Sequence, residues 1–69
     1  MVINKEIIRN NGGRVVRAMK RACRYTFDEL QRITLLGSTE LCLALIQLLQ
    51  EHKIAQGKGR HGVYYILAE

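Results

Sequence analysis

The side chains with the most evident chemistry in this chain are arginines and lysines that gather in two segments. The first segment carries five cations: Arg14, Arg17, Lys20, Arg21 and Arg24. The second carries three basic residues among glycines: Lys58, Arg60 and His61. A guanidinium group presents a planar fork of donors that matches phosphate oxygens. Both segments therefore predict phosphate contacts, and the alternative for the first segment is an ordinary solvated helix face.

The net charge and its distribution favour a polyanionic partner. The chain has 69 residues with 11 Lys+Arg against 6 Asp+Glu, a formal charge of +5. Residues 1–24 hold seven cations and one anion, residues 25–52 one cation and four anions, and residues 53–69 three cations and one anion. A basic balance of this size indicates a polyanionic partner, most often nucleic acid, and here two basic ends flank an acidic middle. The alternative is that the charge serves solubility alone.

Size and residue chemistry both argue against an enzyme. A chain of 69 residues, 48% of them hydrophobic, can fold as one domain but has too little core to enclose a deep cleft. The sequence has no Cys and His paired at helical spacing, no convincing pair of carboxylates and no metal-binding cluster. We therefore expect a binding domain with no catalytic residues, no cofactor and no metal ion.

The cysteines and the terminal segment indicate a cytoplasmic protein. No stretch approaches 18 consecutive apolar residues, so we expect no membrane span, and residues 1–5 lack the apolar run of a signal peptide. Cys23 and Cys42 fall on predicted apolar helix faces. We expect them to be buried, reduced thiols rather than a disulfide.

The first half of the chain predicts two helices after an N-terminal segment. Asn10-Asn11-Gly12-Gly13 predicts a break, so residues 1–13 are expected to form an arm or a short helix and residues 14–69 the domain. The five cations of the first segment then lie on a helix over residues 14–24, opposite an apolar face. Thr26-Phe27-Asp28-Glu29 has the form of a capping box and begins a second helix. Its predicted buried side is Phe27, Leu30 and Ile33, and Gly37 is expected to close it.

The second half predicts a third helix and a β-hairpin. Ser38 or Thr39 is expected to cap the third helix, which runs to about His52. Its predicted core stripe is Leu41, Ala44, Leu45, Leu48 and Leu49, with Cys42 at the edge. Residues 53–56 are extended, residues 57–62 form a glycine-rich basic turn, and residues 63–67 form a strand. The fold class is therefore mainly α with a small β-hairpin.

This order of elements resembles the winged helix-turn-helix family, particularly the very small bacterial transcription regulators of fimbrial operons. The resemblance covers residues 14–67 and rests on TFDELQRITLLGSTELCLALIQLLQEHKIAQGKGRHGVYYIL. It implies a three-helix core plus a wing, with the third helix in the major groove of DNA. It also implies that five residues of that helix face DNA: Ser38, Thr39, Leu43, Gln47 and Gln50. The implied wing contacts are Lys58, Arg60 and His61.

The third helix departs from the usual inventory of a recognition helix. It offers no Arg or Lys between Ser38 and Glu51, and Gln47 and Gln50 are its only side chains able to read a base through two hydrogen bonds. Leu43 and Ile46 lie away from the predicted core. They either cover residues 1–10 or form a surface for self-association or a partner protein.

Two hypotheses for function follow. The first is a bacterial or phage transcription regulator that binds double-stranded DNA. Its phosphate contacts would come from both basic segments and its base contacts from Thr39, Gln47 and Gln50, with a dimer or a larger DNA-binding partner extending the site. The alternative is a winged-helix module that binds a protein and has no DNA binding of its own. In that case Leu43 and Ile46, with the acidic middle segment, form the contact surface, and the basic residues of the first segment either dock an acidic partner or have no role.

Overall fold

The computed structural model describes residues 4–68, which form three helices followed by a two-stranded antiparallel hairpin. The elements are, in chain order, α1 Lys5–Ala18, α2 Phe27–Thr34, α3 Ser38–Gln50, β1 Ile54–Gly59 and β2 Gly62–Leu67. The prediction of a mainly helical chain that ends in a β-hairpin is confirmed at this level.

Helix α1 differs most from its prediction. It begins where the Ile7 N–H donates to Asn4 Oδ1 at 2.9 Å and continues without interruption through Gly12 and Gly13 to Ala18. The predicted break at residues 10–13 and the predicted helix over residues 14–24 are therefore wrong. Glycine is a poor helix former, but here packing prevails: Gly12 is buried, and a Cβ there would lie 3.4 Å from Leu48 Cδ2 of α3. The prediction for residues 1–3 lies outside the described residues.

The chain turns sharply after α1. Lys20 donates its backbone N–H to the Tyr25 hydroxyl at 2.8 Å, and Ala22 adopts a left-handed conformation with φ 65°. Cys23 is exposed in this turn, so the expectation of a buried thiol on a helix face is wrong. Tyr25 then exchanges two backbone hydrogen bonds with Tyr65, of 2.9 and 2.7 Å, which adds one residue of extended chain beside β2.

The capping box that begins α2 is confirmed. The Glu29 N–H donates to Thr26 Oγ1 at 3.2 Å, and the Thr26 N–H donates to Glu29 Oε1 at 2.9 Å. Leu30 and Thr34 are buried, whereas Ile33 is 45% exposed and not buried as predicted, because this short helix turns only the side of Leu30 and Thr34 inward. The Thr34 hydroxyl is satisfied by donating to the Leu30 carbonyl at 2.6 Å.

The connection from α2 to α3 does not use glycine as predicted. The left-handed residue that ends α2 is Leu35, with φ 61°. Gly37 instead precedes α3 as its N-cap, and its N–H donates to Glu40 Oε1 at 3.2 Å. Neither Ser38 nor Thr39 is the cap, since α3 begins at Ser38.

The core forms where α3 packs against α1, α2 and the start of β1. Its fully buried members are Val15, Met19, Leu30, Leu36, Leu41, Ala44, Leu45, Leu48 and Ile54. The predicted stripe of α3 is thus confirmed at four positions, and Leu49 is half-buried. Cys42 is exposed, so the prediction of a buried thiol is wrong here as well.

The hairpin is longer and its turn tighter than predicted. The strands pair from Ile54 with Leu67 to Gly59 with Gly62, which leaves only Arg60 and His61 in the turn. The predicted turn over residues 57–62 is wrong because β1 continues through Gly59. Gly62 has φ +102°, a value that glycine tolerates far better than other residues.

No single helix within residues 4–68 is long and apolar enough to cross a membrane. By length and composition, α2 and α3 pass that test only as a pair, across a bend of 110° between them.

Candidate nucleic-acid interface

Tyr64 lies flat across β1 near the end of the hairpin. It pairs with Gly57 in the register of the strands, and a Cβ at Gly57 would collide with the Tyr64 ring. Gly59 lies under the same ring, since a Cβ there would approach Tyr64 Cδ2 to 3.5 Å. Gly57 and Gly59 therefore provide room for an aromatic side chain within a strand and do not serve turn geometry.

Arg24 stacks on that ring. Its Cζ atom lies 4.5 Å from the centre of the Tyr64 ring, within the range of a cation–π interaction. Stacking on the ring leaves the edge of the planar guanidinium, which carries its N–H donors, available to an anion. Arg24 comes from the turn after α1, and the bridge of Tyr25 to Tyr65 holds that turn against the hairpin.

Arg24 and the hairpin turn enclose a small cleft, which we call the tip cleft. Its lining includes Arg24, Glu29, Arg60, His61 and Tyr64, and its volume is about 210 Å³. Two arginines from distant parts of the chain thus share one surface with a histidine. Lys58 is exposed on β1 and, because it lies between Gly57 and Gly59, points to the opposite face of the hairpin from the Tyr64 ring.

The one carboxylate of the tip cleft is engaged in the capping box of α2. The backbone and side-chain hydrogen bonds with Thr26 lower the pKa of Glu29 from its usual value of 4.5, and the charge of Arg32 lowers it further. Glu29 is therefore ionised at neutral pH, with one of its oxygens committed to the Thr26 N–H.

The five cations predicted to share one helix face are divided. Arg14 and Arg17 are on α1, whereas Lys20, Arg21 and Arg24 follow its last residue, Ala18. Only Arg24 lines the tip cleft. Arg17 and Lys53 lie together at the open end of the hairpin. The six-residue strand β1 separates this end from the turn by about 20 Å.

Arg17 belongs to a second basic surface, which we call the helix groove. It runs between α1 and the C-terminal half of α3 as two adjoining hollows of about 430 and 400 Å³. Ile8, Arg9, Gln47 and Glu51 line both hollows. Lys5 and Arg9 were not predicted to belong to a binding surface, because the predicted break at residues 10–13 detached the start of α1 from the rest. Lys53, just before β1, was not predicted to belong to one either.

The outer face of α3 is uncharged in its middle. Ser38, Thr39, Cys42 and Gln50 are exposed, and Ile46 is 46% exposed. Tyr65 of β2 lies near this face. Burial raises the pKa of Tyr65 above its usual value of 10.0, and a negative charge on Cys42 would raise it further.

The remaining predicted residues of α3 lie to either side of that face. Gln47 is half-buried and lines the helix groove rather than the outer face. Leu43 is half-buried and shares a shallow depression with Phe27 and Cys42. Gln47, Gln50 and Glu51 share a hollow with Ile8 of α1, whereas Leu43 and Ile46 line neither hollow of the helix groove. Of the two alternatives for Leu43 and Ile46, the covering of residues 1–10 therefore has no support from this hollow.

Sequence reasoning missed the parts that Tyr64 and Gly57 play in holding Arg24. A signal for them existed, since a two-residue turn at Arg60 and His61 sets Gly57 opposite Tyr64. Among residues 4–68, no group of three His, Cys, Asp or Glu side chains could hold a metal ion.

Comparison with known proteins gives no family assignment: neither the family models nor the curated proteins contain a match to this chain.

Proposed function

We propose that this chain is a winged helix-turn-helix domain that binds double-stranded DNA, as a transcription regulator of bacterial or phage type acting in the cytoplasm. The order of elements supports the fold: three helices, a single bridging residue between the first two, and a terminal hairpin. The connection between α2 and α3 supports it too. Three residues join the two helices across a bend of 110°, as in helix-turn-helix proteins.

The observation that carries the proposal is the stack of Arg24 on Tyr64 beside the hairpin turn. Arg24 and Arg60 both line the tip cleft, at the exposed end of the hairpin, although 36 positions separate them in the sequence. An arginine held by an aromatic ring loses less side-chain entropy when it binds a phosphate. In this proposal Arg24, Lys58, Arg60 and His61 contact the DNA backbone.

Base reading is assigned to the outer face of α3. Ser38, Thr39 and Gln50 supply hydrogen-bonding groups there, and Ile46 offers apolar contact to a thymine methyl group. Because this face has no cation, affinity depends on the tip cleft and α3 adds selectivity. Gln47 is left out of the base contacts because it is half-buried and lines both hollows of the helix groove, whereas Gln50 is exposed and lines only one of them.

The test is duplex binding by two variants with the same change in charge. Arg24→Gln with Arg60→Gln removes two cations from the tip cleft, and Arg9→Gln with Arg17→Gln removes two from the helix groove. Measured by fluorescence anisotropy at low salt, the first pair should weaken binding more than about tenfold and reduce the salt slope by about 2. The second pair should retain most of the affinity. Equal losses from both pairs, or no duplex binding by the unmodified chain, would refute the proposed interface.

A protein-interaction module is the second candidate, and Leu35 favours it. This side chain is 83% exposed, and its left-handed backbone is costly for a residue as bulky as leucine. In this second proposal Leu35 contacts either a second copy of this chain or another protein, and the contact offsets the cost of its backbone conformation. If duplex binding is absent and sedimentation finds a dimer that Leu35→Ser dissociates, this candidate replaces the first.

A further inference from the structure

The helix groove has the composition of a peptide-binding surface. Its floor is apolar and is formed by Ile8 and Val16 of α1, both half-buried. Gly12 and Leu48 lie at the bottom, where the lack of a side chain on Gly12 lets α1 pack closely on α3 and leaves both residues buried. A groove of two adjoining hollows of about 430 and 400 Å³ has room for a few consecutive side chains.

The rim of the groove is cationic. Lys5, Arg9, Arg17 and Lys53 line it, against a single carboxylate, Glu51. Glu51 already pairs with Lys53, with Nζ and Oε1 3.6 Å apart. Within the described residues, Lys5, Arg9 and Arg17 have no acidic partner of this kind, so the groove presents positive charge around an apolar floor.

We infer that the helix groove docks a segment of another protein in which acidic and apolar residues alternate. The apolar side chains cover Ile8 and Val16, and the carboxylates meet Arg9 and Arg17 on the rim. Gln47, half-buried on the wall contributed by α3, supplies an amide for the backbone of the bound segment. Docking there is independent of DNA binding at the tip cleft.

Duplex DNA is the poorer fit for this groove. A DNA backbone is recognised by cations that stand on an open surface, and an apolar floor between two helices adds nothing to phosphate binding. A peptide with apolar and acidic side chains uses both the floor and the rim. The chemistry of the groove therefore distinguishes it from the tip cleft, where two arginines and a histidine surround a stacked ring.

The first measurement uses a labelled synthetic peptide of repeating Asp-Leu-Glu triplets. Two control peptides separate the contributions: repeating Asp-Ser-Glu keeps the charge without the apolar side chains, and repeating Asn-Leu-Gln keeps the apolar side chains without the charge. Only the Asp-Leu-Glu peptide should bind well in fluorescence anisotropy, with at least about a tenfold advantage over either control. Its NMR shift changes should centre on Gly12, Gly13 and Gln47.

The second measurement uses matched variants. Arg9→Gln with Arg17→Gln should weaken the Asp-Leu-Glu peptide by about tenfold or more. Arg14→Gln with Arg21→Gln changes the charge equally but outside the groove, and should alter binding by less than about twofold. Circular dichroism of both variants checks that the fold is retained.

Several results would overturn the inference. They are an absence of peptide binding, equal binding of the Asp-Ser-Glu peptide, equal effects of the two variant pairs, and shift changes centred on the tip cleft. A loss of duplex affinity from the Arg9 and Arg17 pair as large as that from the Arg24 and Arg60 pair would instead assign the groove to DNA. Failure of the unmodified chain to bind duplex leaves the peptide result intact, so the two proposals fail separately.

Discussion

Gly57 and Tyr64 face each other across the hairpin, and the absence of a side chain on one determines where the other lies. With nothing above Gly57, the Tyr64 ring covers the strand and offers its outer face to Arg24. A glycine inside a strand normally weakens it. Here the cost is offset by burial of an aromatic ring and by a stacked arginine.

Adding one methyl group at Gly57 tests this arrangement. In Gly57→Ala the new Cβ collides with the Tyr64 ring, so the ring and Arg24 must move, and we expect the free energy of unfolding to lie below that of Gly59→Ala by about 1 kcal/mol as the stacking is lost. Gly59→Ala is the matched control, because its Cβ would meet the same ring at an ordinary 3.5 Å. Urea unfolding followed by circular dichroism measures both. Equal stabilities for the two variants would mean that the ring does not lie over Gly57.

The sequence predicted residue types at the interface better than their positions. Arg24, Arg60 and His61 were all singled out, and all three line the tip cleft. Their meeting could not be derived from periodicity, because it depends on the turn after α1 and on the bridge of Tyr25 to Tyr65. The predicted burial of both cysteines was wrong for a related reason. Cys23 lies beyond the end of α1, and Cys42 lies on a side of α3 that does not face the core.

At the scale of elements, features that depend on residues close together in the sequence were predicted correctly. The capping box at Thr26 and the apolar stripe of α3 were both predicted, because each depends on residues a few positions apart. Helix α1 was not predicted, because its glycines are held in the helix by packing against α3, a contact far away in sequence. The predicted turn of the hairpin was too long, because Gly57 and Gly59 of β1 were taken for turn residues.

The unbroken course of α1 makes a direct prediction for Gly13. Alanine is about 1 kcal/mol better than glycine inside a helix, and a Cβ at Gly13 would meet only the end of the Arg17 side chain, at 3.3 Å. Gly13→Ala should therefore raise the free energy of unfolding by up to about 1 kcal/mol, measured by urea unfolding. A clear loss of stability would mean that residues 10–13 form a break in solution, as their sequence alone predicts.

The capping box of α2 makes a prediction about pH. Because the Thr26 hydrogen bonds lower the pKa of Glu29 in the folded chain, its contribution to stability is complete above the unfolded value near 4.5 and is lost as the pH falls through the lowered folded value. Glu29→Gln should therefore flatten the dependence of the unfolding midpoint on pH in this acidic range. Asp28→Asn removes a carboxylate from the same turn, outside the capping box, and should leave that dependence in place. A variant Glu29→Gln with the original pH profile would contradict the assignment.

At the scale of the whole molecule, positive charge is concentrated in two surfaces at different ends of the hairpin. The tip cleft carries Arg24 and Arg60, and Lys58 is exposed near the same turn on the opposite face of the hairpin. The helix groove carries Lys5, Arg9, Arg17 and Lys53 around an apolar floor. The described residues extend over 36 × 22 × 17 Å, so the two proposals place a nucleic acid and a protein segment on separate surfaces of one small domain.

The salt dependence of duplex binding shows how many of these charges contact DNA. Each neutralised phosphate contributes about −0.9 to the slope of log affinity against log salt. If only Arg24, Lys58 and Arg60 contact phosphates, the slope should be near −3; if the cations of the helix groove also bind, it should be about −6. Anisotropy titrations over a series of salt concentrations measure this slope, and the variant Arg9→Gln with Arg17→Gln provides the comparison. If the slope is near −3 in the unmodified chain and unchanged in the variant, only the cations near the hairpin turn contact DNA. If the slope is near −6 in the unmodified chain and falls in magnitude by about 2 in the variant, both surfaces bind DNA.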